Sequence, residues 1–82
     1  MKTAATMDLA EAAWYLKNGL VLERLEVRNS KVEPGRSLVE MVFSGDRAGE
    51  LAVEGLTRGT RVNAADLQLL LEALGQAAGG RL

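Results

Sequence analysis

Residues 62–74 read VNAADLQLLLEAL, and this stretch decides the fold because a helix start and a buried side are both written in it. The Asn63 side chain can cap the first turn, and Asp66, three residues on, can reach back to the Asn63 amide as an acidic capping box. Val62 and Leu67 hold the two positions of a hydrophobic staple, which sets the angle of the incoming chain. Leu67, Leu70, Leu71 and Leu74 recur at the i, i+3, i+4, i+7 spacing of one helical face. The spacing predicts a helix whose leucine stripe is the surface the other elements pack against.

Outward from this helix, Gly79-Gly80-Arg81-Leu82 reads as a frayed tail. On the other side, Gly59 ends a preceding element that Asp46 is expected to cap. Ala48, Leu51, Ala52, Gly55 and Leu56 give that element its apolar stripe. Gly49 and Gly55 each weaken a helix by up to about 1 kcal/mol relative to Ala, but a glycine also permits close backbone approach. Farther upstream, residues 20–28 and 38–44 read as two strands. Leu25 and Val27 alternate with Arg24, Glu26 and Arg28, while Val39, Met41 and Phe43 share one face of the second strand. Pro34 and Gly35 suit the centre of a type II turn. A tight turn there would place the two apolar sets on opposite faces, so a looser loop or a bulge near residues 29–31 is expected instead.

Asp8 can cap the first helix, with Glu11 at the matching position of a capping box. Leu9, Ala12, Ala13 and Leu16 form its expected inner face, and Asn18-Gly19 followed by Leu20 suits a Schellman ending. Residues 1–6 read as frayed. The expectation is a small α+β unit in the order α-β-β-α-α, an antiparallel hairpin packed by helices, filling residues 1–82 as one domain with 1–6 and 79–82 flexible.

Composition narrows the function classes. The 82 residues are 48% hydrophobic and 26% charged, which marks a globular chain with a core too small for generous stability. Zero Cys and zero His remove disulfide stapling, the usual zinc ligands and any imidazole-assisted nucleophile. Ten basic against eleven acidic residues leave a net charge of −1, so no global field draws in nucleic acid or an anionic membrane. No apolar run reaches the roughly 18 residues of a membrane span, and the N-terminus lacks the apolar core of a secretory signal. An intracellular, cytoplasmic protein is expected, with no membrane partner.

Residues 12–19, AAWYLKNG, lead directly into a strand; a Val-rich strand ends in Phe43; and GTRVNA opens the leucine-rich helix at residues 59–64. This arrangement resembles a family of small uncharacterised bacterial and phage proteins, a domain of unknown function, over about residues 8–74. The resemblance implies the same element order and a phage or mobile-element setting in a bacterial host cell. It brings no catalytic residues.

The candidate sites are few. Ser30, Ser37 and Ser44 lie by turns, where hydroxyls ordinarily bond backbone. No phosphate-binding glycine loop and no calcium-loop spacing is present. No catalytic, cofactor or metal residues are assigned, and no enzyme is expected. Arg58 and Arg61 flank a flexible Gly59-Thr60 just before a helix N-terminus where an anion could dock, although Asp66 competes for that first turn and solvated arginines paired with surface carboxylates explain the pattern more simply. Arg24, Arg28, Lys31 and Arg36 could contact phosphates from the outer hairpin face, but Glu26, Glu33 and Glu40 are interleaved and suggest cross-strand ion pairs. Trp14, Leu38, Val42 and Leu69 point away from the expected core. Isolated exposed apolar residues are ordinary, but in so small a domain these four suggest an oligomer interface, a dimer above all.

The reading that fits is a non-enzymatic interaction protein acting by protein binding and self-association, with inhibition of a host process as one role. The alternative is a nucleic-acid-binding accessory protein using Arg24, Arg28, Arg36, Arg58 and Arg61. A third is an oligomer that binds a small ligand between subunits.

Overall fold

The computed structural model describes residues 2–29 and 32–79, so Met1, Lys31 of the basic set, and residues 80–82 of the expected tail lie outside the described residues. The elements run Thr3–Thr6 (β1), Leu9–Lys17 (α1), Val21–Asn29 (β2), Ser37–Ser44 (β3), Ala48–Arg58 (α2) and Ala64–Gly79 (α3). The α+β class and the α-β-β-α-α succession stand, with one strand added in front.

That strand is the largest correction. Residues 3–6 do not fray: they pair antiparallel with β3, Thr3 opposite Ser44 and Thr6 opposite Met41. The sheet therefore has three strands in the order β1-β3-β2. An uncovered edge on the most apolar strand is a ready partner for a short segment, whatever that segment's own propensity. Alternation does the rest, with Ala4 and Thr6 buried and Thr3 and Ala5 exposed.

The β2–β3 register resolves the conflict of faces. Leu25 lies opposite Met41, and Val27 opposite Val39, so the two apolar sets share one face. The long loop expected around Pro34-Gly35 is present, and the Glu33 carbonyl accepts from the Arg36 amide across the turn. The bulge is elsewhere: the register shifts between Leu22 and Arg24, at Glu23. One extra residue there reverses the alternation, which brings Leu22 onto the same face as Leu25 and opposite Phe43.

The helices cover that face. Ala4, Met41 and Phe43 from the sheet join Ala12, Ala13, Trp14 and Tyr15 of α1, Ala48 and Leu51 of α2, and Leu70 of α3 in one buried cluster. The centre is thus where β3 meets α1, and the leucine helix packs on α1 rather than serving as the platform for everything else. Because α1 has neighbours on several sides, its burial is wider than one stripe. Trp14 and Tyr15 go inside while Leu9 stays 55% exposed, reversing the expectation for Leu9 and Trp14. Trp14 lies across Gly55 of α2, where a Cβ would stand 3.4 Å from its Cζ3 atom. The glycine that weakens α2 is the one that admits the indole.

Helix ends follow the sequence unevenly. Asp8 caps α1 by accepting from the Ala10 amide. Its far end is a Schellman turn, with Leu20 N–H donating to the Tyr15 carbonyl and Gly19 N–H to that of Leu16, at a Gly19 φ of 95°. The box at α3 forms as expected: Asp66 N–H donates to Asn63 Oδ1 at 2.9 Å and Asn63 N–H to Asp66 Oδ2 at 3.0 Å. Asp46 does not cap α2; Arg47 holds that position with no side-chain bond, because residues 45–48 form a turn closed by Ala48 N–H on the Gly45 carbonyl. Leu56 of the α2 stripe is 85% exposed.

The buried side of α3 is also turned from the expected one. Leu70 is fully buried and Leu74 packs against the core, but Leu67 and Leu71 are exposed. Asp66 is buried instead, tied to its cap and to Lys17 of α1 with Nζ 3.4 Å from Oδ2. The inward side of α3 therefore carries Asp66, Leu70, Ala73, Leu74 and Ala77.

Candidate functional site

The pleat sends every second residue away from the helices. On this open face stand Arg24, Glu26 and Arg28 of β2, and Leu38, Glu40, Val42 and Ser44 of β3, as the register requires. Charges here are matched locally. Arg24 Nε donates to Glu26 Oε1 at 2.7 Å, and its Nη1 lies 3.3 Å from Glu23. Arg28 spans Glu26 and Glu40, with Nη2 3.1 and 3.0 Å from their carboxylates. The hydrogen bond from Arg24 holds the Glu26 carboxyl below its ordinary pKa. Exposed pairs of this kind contribute little stability because solvent screens them, but they leave the arginines already partnered.

Of the anion candidates, Arg24 and Arg28 share this face and Arg36 sits at the hairpin loop, paired with Glu33 at 3.1 Å. Arg58 and Arg61 stand apart from them, exposed at the junction of α2 and α3 and without an ion pair among the described residues. The first turn of α3, which follows them in the chain, already holds the Asp66 carboxylate.

The oligomer candidates divide. Trp14 is buried in the core, which removes it from any interface. Val42 does face away from the helices, yet it is only 4% exposed, sheltered in the central strand. Leu38 is half-buried on the open face, and Leu69 is 50% exposed on α3.

Two features have no counterpart in the expected sites. Val27 and Val39 lie on the helix side of the sheet but are 69% and 47% exposed, because the far half of the hairpin extends past the helix layer. Beside them, β2 is an edge strand of nine residues with no partner on its outer side among the described residues. The element order does announce the second feature, since a hairpin leaves its far edges open unless something covers or pairs them; nothing in the residues announces how far the helices reach.

A buried polar knot joins β1 to α1. Thr6 Oγ1 donates to Glu11, Tyr15 OH donates to the other Glu11 oxygen at 3.0 Å, and Thr6 Oγ1 accepts from the Asp8 amide. Glu11 thus faces two hydroxyls, and Thr6 takes the Asp8 amide that a capping box would have assigned to Glu11. Burial first, then the bond to Glu11, pushes the Tyr15 phenol from 10.0 up to about 12. A folded-state value above the unfolded one means that stability is whole below about pH 10 and is lost as pH rises toward about 12. The expected loss is roughly 2–3 kcal/mol across that window. Urea midpoints measured through it should fall steeply in the parent chain and more gently in Tyr15→Phe; parallel curves would show that the phenol does not titrate late.

A shallow open cleft of about 460 Å³ lies between the end of α1, the start of β2 and the last turns of α3. Leu16, Leu22, Ala73 and Ala77 line it, with Glu23 and Gln76 as its polar groups. Two unconverging polar groups on an open apolar surface supply neither an acid–base pair nor a nucleophile. Among the described residues no cluster of carboxylates could hold a metal ion, no buried side-chain polar atom lacks a partner, and no helix is long and apolar enough to cross a membrane. Comparison with protein-family models, with curated proteins and with solved structures gives no match. The geometry of the chain itself carries the functional reading.

Proposed function

We propose that this chain is a non-enzymatic interaction module that works by binding protein and by self-association. The observation that carries this reading is the hairpin arm, where an unpartnered strand edge and exposed valines coincide beyond the reach of the helices. Leu69, Leu67 and Leu71 on α3 add apolar surface elsewhere. A phage or mobile-element setting, and inhibition of a host process, remain part of the proposal through the family resemblance alone. The nucleic-acid alternative draws on Arg58 and Arg61, whose charges are not matched among the described residues. Light scattering should give about twice the chain mass of 8.8 kDa at high concentration, and DNA and RNA should not bind even at low salt. A monomer mass at every concentration defeats self-association. Nucleic-acid binding that falls steeply with salt promotes the alternative.

A further inference from the structure

Self-association leaves open which surface meets which, and the charge order along β2 speaks to it. We infer that two copies join edge to edge through β2, antiparallel, about a twofold axis at Val27, making one six-stranded sheet. This rests on the self-association reading and names its surface.

Three observations converge. First, β2 is the long edge. The opposite edge, β1, has four residues, whereas β2 has nine and carries neither Pro nor Lys, and a register centred on Val27 pairs Leu25 to Asn29 of each copy, past the bulge at Glu23. Its unpaired amides and carbonyls fit another strand edge better than any other surface. Second, directly opposed residues in an antiparallel pair lie on the same face, so a symmetric pair must be centred on a residue. Centring on Arg24, Glu26 or Arg28 opposes a charge to its own copy, and like charges directly opposite are destabilising. Centring on Leu25 sets Val27 against Glu23, where the strand is bulged. Centring on Val27 sets Glu26 against the second copy's Arg28 on both sides of the axis, within the regular part of the strand. The alternating signs are self-complementary in that register, which favours a second copy over an unrelated partner.

Third, the exposed valines find cover. Val27 lies opposite Val39 within one chain, so the axis lines up Val39, Val27 and their two equivalents in a row of four across the central strands. The overhang of the hairpin beyond the helices leaves room for this row on the helix side of the joined sheet.

The chain has no cysteine, so a single Cys reports cleanly. Opposed Cα atoms in an antiparallel pair lie about 4.5–5.5 Å apart, inside the span a disulfide bridges. In the full chain, Val27→Cys should form a covalent dimer under mild oxidation roughly tenfold faster than Val53→Cys, whose side chain on α2 is 61% exposed. Arg28→Glu should weaken the dimer roughly tenfold, and adding Glu26→Arg should restore it. A dimer mass with Val27→Cys no faster than Val53→Cys overturns the β2 interface and leaves self-association standing. A monomer mass overturns both.

Discussion

Replacing Phe43 with Ala should remove about 3–5 kcal/mol of stability, the range for truncating a buried aromatic. Domains are held by about 5–15 kcal/mol in total, and one of this size sits toward the lower end, so the variant should keep only about 0–2 kcal/mol and be measurably unfolded at room temperature. Phe43 has no exposed surface, occupies the central strand, lies opposite Ala4 on one side and Leu22 on the other, and packs 5.5 Å from the Tyr15 ring. No neighbour can collapse into the space without dragging α1 onto the sheet. Circular dichroism and urea melts measure the effect. A cooperative transition that loses less than about 1 kcal/mol would mean that the core is not centred where β3 meets α1.

The second large effect separates two adjacent leucines. Leu70→Ala should cost about 2–5 kcal/mol, whereas Leu71→Ala should stay within about 0.5 kcal/mol of the parent chain. Leu70 is 1% exposed and Leu71 60%. Periodicity alone treats the two as members of the same stripe, so the contrast tests which side of α3 faces the core. Equal losses would return α3 to the face that its leucine spacing suggests.

Local chemistry closed within a few residues was legible at most helix ends, though not at Asp46, which leaves α2 uncapped, nor at Glu11, whose place on the Asp8 amide goes to Thr6. The Asn63–Asp66 box, the Asp8 cap and the Gly19 ending each need only neighbours in sequence, and each formed. Packing direction was not legible, because it depends on partners far along the chain. Leu67 and Leu71 satisfy the helical spacing as well as Leu70 does, and only the packing of α3 against α1 and the rest of the core tells them apart. Trp14 looked external because it lies off an alanine stripe, but the gap that receives it is Gly55 on α2. The first strand, Thr-Ala-Ala-Thr, carries almost no strand signal of its own; the edge of β3 supplies what its residues lack. The site was readable in part. Interleaved arginines and glutamates on the outer face did pair, while the overhanging valines emerged only once the extent of the helix layer was known.

The order β1-β3-β2 also has a consequence for how the chain is made. The hairpin of β2 and β3 is a neighbourly contact and can form as soon as both strands exist. The first strand synthesised has to wait for Ser44, its partner in the register, before it can be held. The first helix waits longer still, since α3 follows the other described elements in the chain and α1 is what it packs against. Elements as far apart as α1 and α3 are thus needed together, and contacts of such long sequence separation slow folding and leave apolar surface exposed meanwhile. The sheet can pair before α3 is in place, but the core cannot close without it.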